Sequence, residues 1–229
     1  MAASAIPFSI DQESISGSRV IICEGGGDKN FFRELIKARG LPDFYVTHPF
    51  DKIHPGGRQG YAARLRALRL QPDFDQVAGV LVVSDNDRDP RASFAEVRSL
   101  VHDAGFTAPN RPSTVAAGTP SVIIMMLPAP DQEGQLETIC LEAIKSTWPR
   151  QFECAEQYAE CAGIATWGIA KQERAKLRAL ISHICKKDPN TSLSHLWHDG
   201  REIVVPLDSE SFDPVVESLR QFAAAFSGS

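Results

Sequence analysis

Three aspartates at alternate positions, Asp85, Asp87 and Asp89, follow an apolar run from Val80 to Val83. In extended backbone, residues two apart point to the same side, and Pro90 biases Asp89 toward extended geometry. Carboxylates converging at the end of a buried strand repel one another unless a cation lies among them. Hard oxygen donors of this kind suit Mg²⁺ or Mn²⁺. An Asp-rich turn after a strand has the same sequence, so the spacing leaves a metal site and a solvated turn both open.

A second acidic group lies upstream, in Glu24-Gly25-Gly26-Gly27-Asp28, directly after the apolar run Arg19–Cys23. The glycines let the backbone turn sharply and approach a ligand closely. A strand-to-helix turn with an N-capping aspartate fits equally well. The phosphate-loop pattern GxxxxGK[ST] is absent. Glu137, in Gly134-Gln135-Leu136-Glu137, is on its own an ordinary helix-start carboxylate.

These groups can meet only if strands carry them to one edge. Apolar runs predict strands near 19–23, 44–47, 78–84 and 121–127. Between them, helical periodicity runs from Lys29 to about Arg39, from the loop His54–Gly60 to about Leu70, and from Arg91 to Ala104. A further helix runs from Gln135 to about Lys145. Strand–helix alternation predicts an α/β fold, a mostly parallel, Rossmann-like sheet with helices on both faces. Ligands of such sheets bind at the C-terminal edges of the strands. Residues 1–18 read as an N-terminal arm, 19–147 as the α/β domain, and 148–229 as a helical region packed on it. Helices are expected there near 153–161, 172–186 and 212–226, with Trp148, Trp167 and Trp197 as anchors of that helical part.

The composition, 43% hydrophobic and 23% charged over 229 residues, is that of an ordinary globular protein. A net charge of −5 argues against coating nucleic acid by bulk electrostatics but not against a local basic strip. Five scattered cysteines, without CxxC or zinc spacing, predict reduced thiols and a cytoplasmic setting. No apolar stretch approaches membrane-spanning length, so no membrane association is expected. Arg64, Arg66 and Arg69 read as a solvated helix face.

Taken together, a strand–Glu–Gly–helix unit followed some sixty residues later by strand–Asp-x-Asp resembles the toprim fold. Glu24 matches the single glutamate of that group, and Asp85 and Asp87 match its DxD. Asp28 and the GQLE segment look like the OLD (overcoming lysogenization defect)-type toprim nucleases, in which Glu137 would complete the acidic cluster. EGGGDKNFF, HPGGRQG and ERAKLRALIS are similar to small stand-alone toprim proteins of uncharacterised function. The sequence departs from the common DxD pattern in running DNDRDP, without a following glycine. The helical lysine of such families falls on Arg174 or Lys176.

The resemblance implies metal-dependent hydrolysis of nucleic-acid phosphodiesters, DNA before RNA, with two Mg²⁺ or Mn²⁺ ions about 3.5–4 Å apart. Glu24, Asp85 and Asp87 would hold one ion. Asp28 and Glu137, with Asp89 a further candidate, would hold or orient the other. Glu24 is also a candidate general acid or base, and Arg174 or Lys176 would neutralise transition-state charge. Gly56, Gly57 and Arg58 are candidates for phosphate contact. The same resemblance implies a prokaryotic, phage-defence setting with an ATPase partner in trans, since the chain has no nucleotide-binding motif of its own. An RNA-processing toprim nuclease and a non-catalytic subunit that binds metal or nucleic acid are the competing expectations.

Overall fold

The computed structural model describes residues 14–49, 57–196 and 204–226. Four strands, β1 (Arg19–Ile22), β2 (Tyr45–Thr47), β3 (Gly79–Asp85) and β4 (Ser121–Leu127), form one sheet in the order β2-β1-β3-β4. All three pairings are parallel. The expected strands are all present, and β1 and β3, which carry the two acidic motifs, are neighbours. Their register sets Ile22 against Val82, so the residue two beyond Ile22, Glu24, comes opposite Ser84.

Alternation within each buried strand splits the core in two. Ile21, Leu81, Val83, Ile123 and Met125 face one side with α1 (Gly26–Ala38), α4 (Leu136–Thr147), α6 (Ile169–Ile184) and α7 (Asp213–Ala225). Val20, Ile22, Val80, Val82 and Ile124 face the other with α2 (Tyr61–Arg69) and α3 (Pro90–Asp103). Both faces are therefore covered, which is why the strands read as continuous apolar runs. Residues beyond 148 share the first of these cores, through Leu177, Leu180, Phe212 and Leu219 among others. Helix α1 is pinned by Phe31 and Phe32, both fully buried and packed edge to face at 5.3 Å between centroids. Phe31 also meets Phe212, at 5.2 Å. Truncating such a ring costs about 3–5 kcal/mol and would loosen the helix that presents Asp28.

Most differences from the sequence expectation lie at helix starts. Helix α1 begins at Gly26, three residues before the expected Lys29, so the glycine run forms its cap and first turn. Helix α5 (Pro149–Cys161) begins at its proline, the residue type preadapted to a first helical position. Trp148 packs against the core, as expected of an anchor. Trp167 does not: it is 48% exposed. Trp197, Gly56 and most of the arm fall outside the described residues. Among those residues, no helix is long and apolar enough to cross a membrane.

Candidate functional site

The C-terminal ends of β1, β3 and β4 place Glu24, Asp85 and the Gln135–Glu137 segment at one edge of the sheet. Glu24 is held through one oxygen. Its Oε1 accepts hydrogen bonds from Ser84 Oγ and from the backbone N–H of Asp85, the latter at 3.1 Å. Asp85 Oδ1 accepts from the Leu136 N–H at 3.0 Å, tying β3 to the first turn of α4. Asp28, three positions into α1, accepts through Oδ2 from the Gly25 N–H at 3.0 Å. Glu137 Oε1 pairs with Arg174 Nε at 3.3 Å. Each of these four carboxylates is thus braced through one oxygen, and none of these contacts uses the other.

Their electrostatics are those of one cluster. Burial, then Glu137 and Glu24, pushes the Asp28 carboxyl up to about 7, against the opposing pull of the Gly25 N–H and Arg174. Burial, then Glu24, Asp28 and Glu137, pushes Asp85 well above the ordinary carboxylate range. Two sheltered acids, Asp28 and Asp85, whose ionisation burial and the neighbouring carboxylates disfavour, form the environment a divalent cation would relieve. Among the described residues, no three His, Cys, Asp or Glu side chains already form a ready-made ligand group. A cation held here would draw in the second oxygens of Glu24, Asp28, Asp85 and Glu137. The hydrogen bonds to their first oxygens orient them as outer-shell partners orient metal ligands.

Asp87 and Asp89 do not join this cluster. Asp87 has φ 52°, which breaks the extended backbone on which the alternation argument rested. Its backbone instead pairs with Gly134 in both directions at 2.9 Å. Its carboxylate pairs with Arg58 Nη2 at 2.8 Å. Asp89 caps α3, with Oδ1 accepting from the N–H groups of Arg91 and Ala92 at 3.0 Å each.

Arg58 is a structural clamp in this arrangement. Its guanidinium donates to Ser84 Oγ (3.1 Å), Ser93 Oγ (3.2 Å), Glu96 (2.9 Å) and the Asp85 carbonyl (2.6 Å), in addition to Asp87. It also lies 3.5 Å from Glu24. Burial disfavours the cation, but Glu96, Glu24 and Asp87 outweigh it and hold Arg58 firmly protonated. Gly57, with φ +82° and its N–H on the Glu24 carbonyl at 2.9 Å, delivers Arg58 to that position.

The two basic candidates on α6 separate. Arg174 reaches the cluster through Glu137 and also donates to Gln135 Oε1 at 2.8 Å. Lys176 faces away and pairs with Glu156 on α5. Asp28, Glu137 and Arg174 line a cleft of about 340 Å³ bounded by the first turn of α1 and by α6.

Four supporting residues have no role assigned from the sequence. Ser84 carries both Glu24 and Arg58. Asn86 donates to the Ala129 and Gln132 carbonyls, locking the loop after β3 to the loop after β4. Gln135, fully buried, ties α4 to the start of α6 through the Ala170 carbonyl at 2.9 Å. Glu173, on α6, accepts from Thr138 Oγ1 at 2.8 Å. The only sequence signal for Ser84 and Asn86 is a polar residue ending an otherwise apolar strand.

Over residues 18–224 the chain matches the family described as "Protein of unknown function (DUF3226)". No curated protein and no solved structure matches it.

Proposed function

The chain belongs to this family of unknown function, DUF3226, and we propose that it is a divalent-metal-dependent phosphodiesterase acting on nucleic acid, with DNA as the first substrate. The observation that carries the reading is the grouping of Glu24 and Asp85, at adjacent strand ends, with Asp28 and Glu137, in the first turns of α1 and α4, close enough to act on one another's charge and each braced through one oxygen. The preference for DNA rests on the resemblance of EGGGD, DND and GQLE to the OLD-type nucleases.

A bound Mg²⁺ or Mn²⁺ would supply Lewis acidity at the phosphoryl oxygen and acidify a coordinated water. The protein's own groups do the rest. Glu24, Asp28, Asp85 and Glu137 would hold the ion or ions. Glu24 lies between the cluster and the Arg58 clamp and is the candidate to accept a proton from water. Arg174, 59% exposed and bridging Glu137 to the cleft, is placed to meet the phosphate's developing negative charge. Arg58, committed to neighbouring carboxylates, is a positioning residue in this reading and not a phosphate ligand.

The test is incubation of the purified chain with plasmid, linear DNA and structured RNA, with Mg²⁺ or Mn²⁺ and with EDTA. Cleavage that requires the metal and is lost in Glu24→Gln is the expected result. Cleavage of RNA alone would shift the substrate to the RNA-processing reading. No cleavage of any of them, even with an ATPase partner supplied in trans, would favour a non-catalytic binding subunit.

A further inference from the structure

One side of α6 carries Lys171, Arg174 and Arg178, spaced three and four residues apart and so on one helix face. That face borders a groove of about 640 Å³ against α5 and the short 3-10 turn Ile164–Thr166. Tyr158 and Trp167 line the same groove, 50% and 48% exposed. Large aromatic rings are usually more covered than this, so their exposure in one groove is an observation to be explained. Among the described residues no acidic side chain lines the groove, in a chain whose net charge is −5. Among the described residues, neither Lys171 nor Arg178 is engaged in an ion pair.

The position of the groove ties it to the acidic cluster. Arg174 lines both the groove and the cleft that holds Asp28 and Glu137. Arg88, from the loop between Asp87 and Asp89, packs on Gly168 beside Trp167, so closely that a Cβ there would meet its Nη2. A cationic track therefore begins at the loop after β3, passes the exposed indole and follows α6 to the cleft.

The geometry points to a docking groove for single-stranded nucleic acid, whose unpaired bases stack on Trp167 and Tyr158 while its phosphates meet Lys171, Arg174 and Arg178. Aromatic faces combined with a basic track bind single strands without sequence preference, because every base presents a π face. A duplex keeps its bases stacked on one another and offers those rings nothing. The inference deepens the nuclease reading and rests on it for the identity of the substrate, and it assigns the strand a path into the cleft through Arg174.

Binding is read separately from cleavage. Fluorescein-labelled oligothymidylate and oligouridylate of about 15 nucleotides, and a duplex of equal length, are titrated in EDTA with anisotropy as readout. Tighter binding of the single strands than of the duplex is expected, with affinity falling as salt rises. Trp167→Ala and Tyr158→Ala should each weaken single-strand binding by about tenfold. Lys171→Glu should weaken it further and flatten the salt dependence. Thermal melts of the same variants, unchanged from the parent, show that the fold is intact. Oligothymidylate bound in preference to oligouridylate, or the reverse, identifies which strand the groove takes and supports the inference in either case. Duplex bound as tightly as single strand, or binding indifferent to both rings, overturns it. So does a mass by light scattering that doubles through this groove while no oligonucleotide binds. If the strands bind as described and Mn²⁺ yields no cleavage, the nuclease reading fails and the groove stands. If cleavage persists while Trp167→Ala and Tyr158→Ala leave binding untouched, the groove fails and the nuclease reading stands.

Discussion

Nη2 of Arg58 lies 2.8 Å from Oδ2 of Asp87 and donates at 2.6 Å to the Asp85 carbonyl, so one guanidinium fixes the backbone of the first aspartate and the side chain of the second. Two residues of one DxD motif consequently have different work. Asp85 turns its carboxylate toward Glu24, Asp28 and Glu137, and Asp87 turns its own toward a cation the chain already supplies.

Arg58→Ala should destabilise the fold. Glu24, Asp87 and Glu96 would lose the cation they share, and Ser84 and Ser93 would lose a donor. Removing one partner of a buried ion pair costs about 3–5 kcal/mol. Because Asp87 and Glu96 are 50% and 40% exposed, solvent screening brings the expectation to about 2 kcal/mol. Urea unfolding gives the number. Arg58→Lys should recover only part of it, since a point charge cannot reproduce the fork. A loss below about 0.5 kcal/mol, the range of an ordinary surface change, would mean the clamp does not hold the strand end.

Calorimetric titration with Mn²⁺ should separate Asp85 from Asp87. Asp85→Asn removes a carboxylate from the cluster and should lower affinity by well over about tenfold, the lower end of what even an outer-shell substitution costs. Asp87→Asn leaves the cluster intact and should stay within a few fold of the parent. Equal losses in the two variants would restore the alternation reading, with both aspartates as ligands.

Asp89→Ala should behave as the loss of a helix cap and nothing more. The carboxylate accepts two N–H groups at the start of α3, and such caps are worth about 1 kcal/mol. Unfolding measurements should show that loss while Mn²⁺ affinity stays at the parental value. A drop in affinity would bring Asp89 back into the metal site.

Much of this arrangement was legible in the sequence, for reasons that differ by residue. The strands were, because a parallel sheet covered on both faces needs uninterrupted apolar runs such as Ser121–Leu127. Glu24 and Asp85 read as strand-end residues because each closes an apolar run, whereas the adjacency of the two strands is visible only in the sheet order. Asp87 and Asp89 were misplaced because the alternation rule assumes extended backbone, and φ 52° at Asp87 ends that regularity. No local pattern announces a left-handed aspartate held by a glycine nearly fifty residues away. Arg58 is a candidate for phosphate contact under the mechanism the toprim resemblance implies. Its actual partners come from β1, β3 and α3 and are visible only in three dimensions. Arg174 and Lys176 could not be separated from spacing alone, because two residues apart on a helix they face different ways and the sequence does not say which way is the cleft.

Activity should follow the same division. Glu24→Gln keeps the size of the side chain and removes its charge, and turnover should fall by about two to four orders of magnitude if it moves a proton in the reaction. Arg174→Ala should lower turnover with little change in melting temperature. Lys176→Ala breaks only a pair with the 45%-exposed Glu156 and should leave turnover unchanged. Turnover lost equally in Arg174→Ala and Lys176→Ala would contradict the placement of the cleft.

The metal-free chain should lose stability as pH rises through the range in which Asp28 ionises. Burial and the neighbouring Glu137 and Glu24 raise this carboxyl in the folded chain to about 7, against about 4 in the unfolded chain. The folded state therefore binds the proton more tightly. The stabilisation is fully present below about pH 4, declines as pH rises, and is gone above about pH 7. Asp85, raised by burial and by the same neighbours, acts in the same direction. Urea unfolding in EDTA from pH 4.5 to pH 8 should show the decline, on the order of a few kcal/mol. Asp28→Asn cannot ionise and should flatten the curve. Mn²⁺ should work against the decline, because carboxylate ligands bind it deprotonated. Its stabilising effect should therefore be larger at pH 8 than at pH 5.5. A curve with the same slope in the parent and in Asp28→Asn would show that the crowding of carboxylates at this sheet edge does not reach Asp28.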